Sequence, residues 1–151
     1  MFGKKFSEYV QFERWILILV ALVFAIRIGA SLAGGSTMQV RWISMNVVLL
    51  VGLFYCSVAV HTAGFGSYKQ LLGLLVIQNA FSHTLIAMAI VLGIVTGTDN
   101  IFTAPEFFGG SDGKTWGHVL AHLLAGSLLV PLVYWLVGSG VLFLTRRLRK
   151  T

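Results

Sequence analysis

Acidic residues are scarce in this chain. It holds five Asp and Glu among 151 residues, and charged side chains of either sign make up 11% of it. A soluble domain carries about 25% charge. So little polarity excludes a water-soluble globule, and with it a cytosolic enzyme, a nucleic-acid-binding domain and a disordered tail. The single cysteine, Cys56, lies in an apolar run. It can form no internal disulfide and packs as a small apolar side chain. There are no repeats and no low-complexity segments. Catalytic signatures are missing as well. The segment GGSDGKT at 109–115 approaches a P-loop, but the GxxxxGK[ST] spacing needs glycine at position 108, which is Phe108. No nucleotide is expected. Ser57 and His61 stand one turn apart without an acid to orient the imidazole, so no catalytic residue is assigned and the chain does not read as an enzyme.

What is abundant is apolar: 57% of the residues are hydrophobic and the mean hydropathy is +0.87. Four runs, at about 15–33, 43–63, 71–95 and 116–144, are each long enough to cross a hydrocarbon core about 30 Å thick. They lack the period-two alternation of barrel strands, so helices are predicted. Short connections make neighbours antiparallel. The expected fold is an all-α membrane protein, an up-down bundle of four transmembrane helices forming one integral membrane domain over 1–151. The loop at 97–115 carries Asp99, Glu106 and Asp112 against Lys114. The ends carry Lys4, Lys5, Arg14, Arg146, Arg147, Arg149 and Lys150. The positive-inside rule then puts both termini in the cytoplasm and the acidic loop outside, in a multi-pass protein of a bacterial cytoplasmic (inner) membrane. Arg41, on the outer side, dissents mildly. The basic tail reads as a contact for anionic lipid headgroups, not nucleic acid. Met1 to Ala33 also has the outline of a signal peptide, but Arg27 interrupts its apolar part and the segment is long for one.

Ionisable groups within a bilayer are costly and mark candidate sites. At 1.5 Å per residue, Arg27 and His83 each lie ~18 Å from the inner edge of their spans. His122 lies ~21 Å from that edge. Three helices thus bring Arg27, His83 and His122 to one depth in the outer half. His118 stands one turn above His122. Asn79 and Ser82 lie just below His83, Ser31 lies one turn above Arg27, and Asn46 lies near the outer end of span two. His61 is apart, near the inner end of span two.

This layer admits three readings. In the first, His83 with His122 or His118 ligates haem b, and Arg27 pairs with a propionate; the same residues also suit a quinone. In the second, His118 and His122, spaced i, i+4, share a divalent metal ion or line an ion path. In the third, the histidines only hydrogen-bond across helices and pin the bundle. With span one drawn from Trp15, no span holds an acidic residue, which ranks a transporter or channel below an accessory or anchor subunit. The histidine-bearing four-span plan resembles, in architecture alone, the membrane anchor subunits of respiratory complexes. Ala21, Ala25, Gly29 and Ala33 form a small-residue strip roughly opposite Arg27. Beyond the lipid bilayer, the expected partners are copies of the chain or other membrane subunits. Pro131 is expected to kink span four and free the Ser127 carbonyl.

Overall fold

The glutamate at position 8 opens the first helix. Its carboxylate accepts the Lys5 backbone N–H at 2.7 Å, satisfying an otherwise orphaned amide at the positive end of the helix dipole. Helix α1 (Phe6–Leu32) therefore starts at Phe6 and not near residue 15. The computed structural model describes residues 1–149; Lys150, counted above with the terminal basic residues, lies outside them. After α1 come α2 (Thr37–Val40), α3 (Met45–Thr62) and α4 (Tyr68–Thr96), and a single 3-10 turn at Pro105–Phe107. A final long helix is built in three parts: α5 (Trp116–Ala121), a π-helical segment (His122–Leu129) and α6 (Val130–Leu148). No strand occurs among the described residues.

Four helical stretches are long and apolar enough to cross a membrane: Phe6–Leu32, Thr37–Thr62, Tyr68–Thr96 and Trp116–Leu148. This is the constitution of a small multi-pass integral membrane protein. In α3 and α4, 44% and 50% of the apolar window is buried, against 11% in α1 and 17% in the last helix. The middle helices thus form the core, and the outer two turn most of their apolar surface outward, where lipid is as good a neighbour as protein.

Contacts define two ends. At one, Gln70 Nε2 donates to the Phe2 carbonyl at 2.7 Å, Trp135 Nε1 donates to the Tyr68 carbonyl at 2.8 Å, and the Arg146 guanidinium lies 4.9 Å from the Tyr68 ring centre. The start of α1, the start of α4 and the end of α6 meet there; we call it the terminal end. An apolar cluster around Tyr9, Leu53, Leu74 and Leu142 fills this half. A second cluster around Val20, Leu49, Ile86 and Ile90 fills the other half.

That other half is capped by the 97–115 loop, which folds back onto α4. Asn100 Nδ2 donates to the Ala89 carbonyl at 2.9 Å, and Asn100 Oδ1 accepts the Phe102 N–H at 3.0 Å. Phe102 stacks on Phe24, with 5.8 Å between centroids, and receives the Arg27 guanidinium at 5.0 Å. Lys114 pairs with Asp99 and, at 3.2 Å, with Asp112. The Lys114 backbone N–H, and then its ammonium, hold the Asp112 carboxyl below the usual carboxylate range, and Asp99 with Asp112 raise Lys114.

The last helix begins where the Thr115 hydroxyl accepts the His118 N–H at 3.1 Å. Asp112, just before it, accepts the Lys114 N–H at 2.8 Å. Winding then widens before Pro131, so that the Val130 N–H reaches the Ala125 carbonyl and the Ser127 hydroxyl donates to the His122 carbonyl at 3.3 Å. The proline's missing donor is accommodated by a π segment upstream, a feature frequent at functional sites.

Candidate functional site

Gly126 decides how close α4 and the π segment come. A Cβ built on it would sit 2.5 Å from the His83 ring. The hydrogen atom in its place lets His83 slide alongside the last helix, and His83 Nδ1 stands 2.8 Å from His122 Nδ1. The two rings are tilted by 34° with centroids 5.0 Å apart. The second nitrogen of His122, Nε2, lies 3.1 Å from His118 Nε2. His118 Nδ1 in turn lies 2.9 Å from the Gly113 carbonyl oxygen. Three imidazoles therefore form one hydrogen-bonded row, from α4 through the π segment and α5 to the loop. Gly113 is held from behind: a Cβ there would meet the Thr103 carbonyl oxygen at 2.6 Å and the Phe108 ring at 2.7 Å. Phe108 also packs edge-on against His118, at 4.7 Å between centroids.

The inner end of the row borders a cavity of about 460 Å³. Arg27, Asn46, His83, His122, Phe102 and Tyr134 contribute to its wall. The coincidence of depth read from the sequence is thus a spatial meeting: Arg27, His83 and His122 line one cavity, and His118 joins through His122. Arg27 Nε is buried there without a protein partner. With Arg27 turned inward, Ala25, Gly29 and Ala33 of the small-residue strip are exposed. His61 lies elsewhere, in a recess at the terminal end with Tyr68, Arg146 and Arg147.

The sequence reading missed three of the residues that matter. Phe102 comes from the loop and carries no periodic signal. Tyr134 lies about 120° around an ideal helix from His122, and the wider π winding is what changes its phase. Glu13 is the third and requires a correction. It lies inside α1, where its side chain is fully buried on the stripe Tyr9, Glu13, Ile16 and Val20. The bundle therefore does contain an acidic side chain. Both Glu13 carboxyl oxygens lack a protein partner, as do both amide atoms of Gln78, and also Asn79 Oδ1 and Ser82 Oγ. Gln78, Asn79 and Ser82 share the buried face of α4 that leads to His83.

For a metal ion, His118 Nε2 and His122 Nε2 lie 3.1 Å apart, and no group of three or more His, Cys, Asp or Glu able to hold an ion occurs among the described residues. Comparison with protein-family models, curated proteins and solved structures finds no match to this chain.

Proposed function

We propose that this chain is an accessory or anchor subunit of a membrane complex, and that its cavity takes the head group of a quinone-class lipid. In this reading it is an up-down bundle with both termini cytoplasmic and the 97–115 loop outside, as the distribution of Lys and Arg supports. One observation carries the ligand class: Arg27, Asn46, His83, His122 and Tyr134 converge on a single cavity beside the ring of Phe102. Its volume of about 460 Å³ lies in the range of small-ligand sites, which pair apolar walls with a few placed polar groups. A quinone head group needs donors for its ring oxygens and an apolar surface for its plane. Arg27, with an unpartnered Nε, and Tyr134 can donate, and Phe102 offers the surface. The exposed strip Ala25, Gly29 and Ala33 supports close approach of a second helix, from another copy or another subunit.

Haem b held by His83 and His122 is the rival reading. Their Nδ1 atoms face each other at hydrogen-bond distance, so iron between them would have to part the rings and displace α4 from Gly126. Two experiments separate the readings. Organic extraction of protein purified from its native membranes should yield an isoprenoid quinone in stoichiometric amount, lost in Arg27→Leu. The same preparation, reduced with dithionite, should show no Soret or α band. A quinone-free extract, with no saturable binding of a short-chain quinone, would overturn the proposal; haem bands abolished by His83→Ala would establish the rival.

A further inference from the structure

We propose that His83, His122 and His118 form a proton relay that joins the cavity to the water-facing surface at the 97–115 loop. The inference rests on the reading of the cavity as a site for a quinone-class ligand, whose reduced form carries protons that its oxidised form lacks.

The hydrogen-bond geometry fixes the resting state of the row. A carbonyl oxygen only accepts, so His118 Nδ1 must carry a proton and donate it to Gly113. In a neutral ring this leaves His118 Nε2 as an acceptor, and His122 Nε2–H donates to it across 3.1 Å. His122 Nδ1 is then an acceptor, and His83 Nδ1–H donates to it across 2.8 Å. The last nitrogen, His83 Nε2, is left with a free lone pair, the hydrogen bond of His83 being made through Nδ1. One backbone carbonyl thus sets the tautomer of all three rings, an orienting role typical of the second nitrogen's partner. The row ends on an open acceptor, on a residue that lines the cavity.

Such a row passes one proton without moving heavy atoms. A proton added to His83 Nε2 makes that ring cationic. Its Nδ1–H bond breaks as an N–H bond forms at His122 Nδ1; the His122 Nε2–H bond breaks as one forms at His118 Nε2; and the Nδ1 proton of His118 leaves to water at the loop. One proton enters, one leaves, and no oxidant or reductant is consumed. The row then stands in the opposite register, with the His118 Nδ1 lone pair against the Gly113 oxygen. That contact is repulsive, and the row returns to rest by the reverse transfer, in which a proton is taken up at His118 Nδ1 and one is released from His83 Nε2 to the cavity. A second transfer in the same direction requires the rings to turn over. The charged and titratable groups that face the row are Arg27 from α1 and Tyr134 from α6, with Asp112 and Lys114 flanking Gly113 in the loop. Two glycines hold the spacing: Gly126 lets His83 approach, and Gly113 places the accepting carbonyl.

The test is nitrogen-15 magnetic resonance of the histidines in protein reconstituted in lipid bilayers. The wild-type chain should show His118 and His83 protonated at Nδ1, His122 protonated at Nε2, and two inter-ring nitrogen couplings. Stepping the pH from above to below the imidazole range should move His83 together with His118. His122→Phe, which keeps a ring but no nitrogen, should abolish both couplings and uncouple His83 from His118. Gly126→Ala should abolish the His83–His122 coupling alone. Three rings of mixed tautomer titrating independently in the wild type would overturn the relay, whatever the variants do. Couplings in a protein that yields no quinone would keep the relay and remove the ligand class.

Discussion

His83 and Gln78 lie within two turns of each other on α4, and their polar atoms are treated in opposite ways. His83 begins a row in which every inter-ring nitrogen has a partner at 2.8–3.1 Å. Gln78 has none, nor does the buried carboxyl of Glu13 on the neighbouring helix. Buried polar groups in native proteins are nearly always satisfied, by protein or by ordered water. The two regions therefore differ in kind. Between its rings and at the Gly113 carbonyl the row is satisfied by the polypeptide alone, and only the terminal His83 Nε2 is open. In the Glu13 and Gln78 region the polypeptide supplies none of these side-chain atoms with a hydrogen bond. A substitution that removes polarity should accordingly weaken the first region and strengthen the second.

Four substitutions can break or sharpen that contrast. The largest effect is expected from Gly126→Val. Branched carbon at a position where even a Cβ would overlap the His83 ring should lower stability by ~1–3 kcal/mol, read as thermal unfolding in detergent, and should part His83 from His122. Glu13→Leu should act in the opposite direction. Removing an unpartnered buried acid relieves a desolvation cost of ~1–3 kcal/mol, and the variant should melt higher. A lower melting temperature would mean that the carboxyl is engaged and that the contrast is false. His122→Leu should destabilise by ~0.6–2 kcal/mol, the scale of interhelical hydrogen bonds in membranes, because it orphans a nitrogen on each side.

The smallest effect belongs to Lys114→Ala, which should leave the melting temperature nearly unchanged and speed hydrogen exchange in the loop. The same loop gives a pH dependence. The depressed Asp112 carboxyl contributes order that is complete above the ordinary aspartate range and is lost as pH falls through its lowered value. The raised Lys114 contributes order that is lost as pH rises through its own value. Loop protection, measured relative to the intrinsic exchange rate at each pH, should be greatest between these limits.

Much of the fold was legible because a membrane chain writes its helices as long apolar runs. The four spans coincide with four helical stretches, and depth along each span was enough to bring Arg27, His83 and His122 to one cavity. Where that reasoning failed, the cause was specific. Glu13 was excluded by starting the first span at Trp15. The helix begins earlier, at Phe6, and the spacing of Tyr9, Glu13, Ile16 and Val20 carried the signal of a buried face. The His118–His122 contact follows from i, i+4 spacing, but its extension to the Gly113 carbonyl depends on loop packing that no periodicity records. The π segment was visible only as Pro131, and its change of helical phase, which bears on Tyr134, was not.

The most direct test of the central claim is a titration of the reconstituted protein with a water-soluble short-chain quinone, read on the histidine nitrogen resonances. Binding in the cavity predicts saturable shifts of His83 and His122, transmission to His118, and none at His61, which lies in the recess at the terminal end. Shifts confined to His61, or no saturable shift in any histidine, would contradict it.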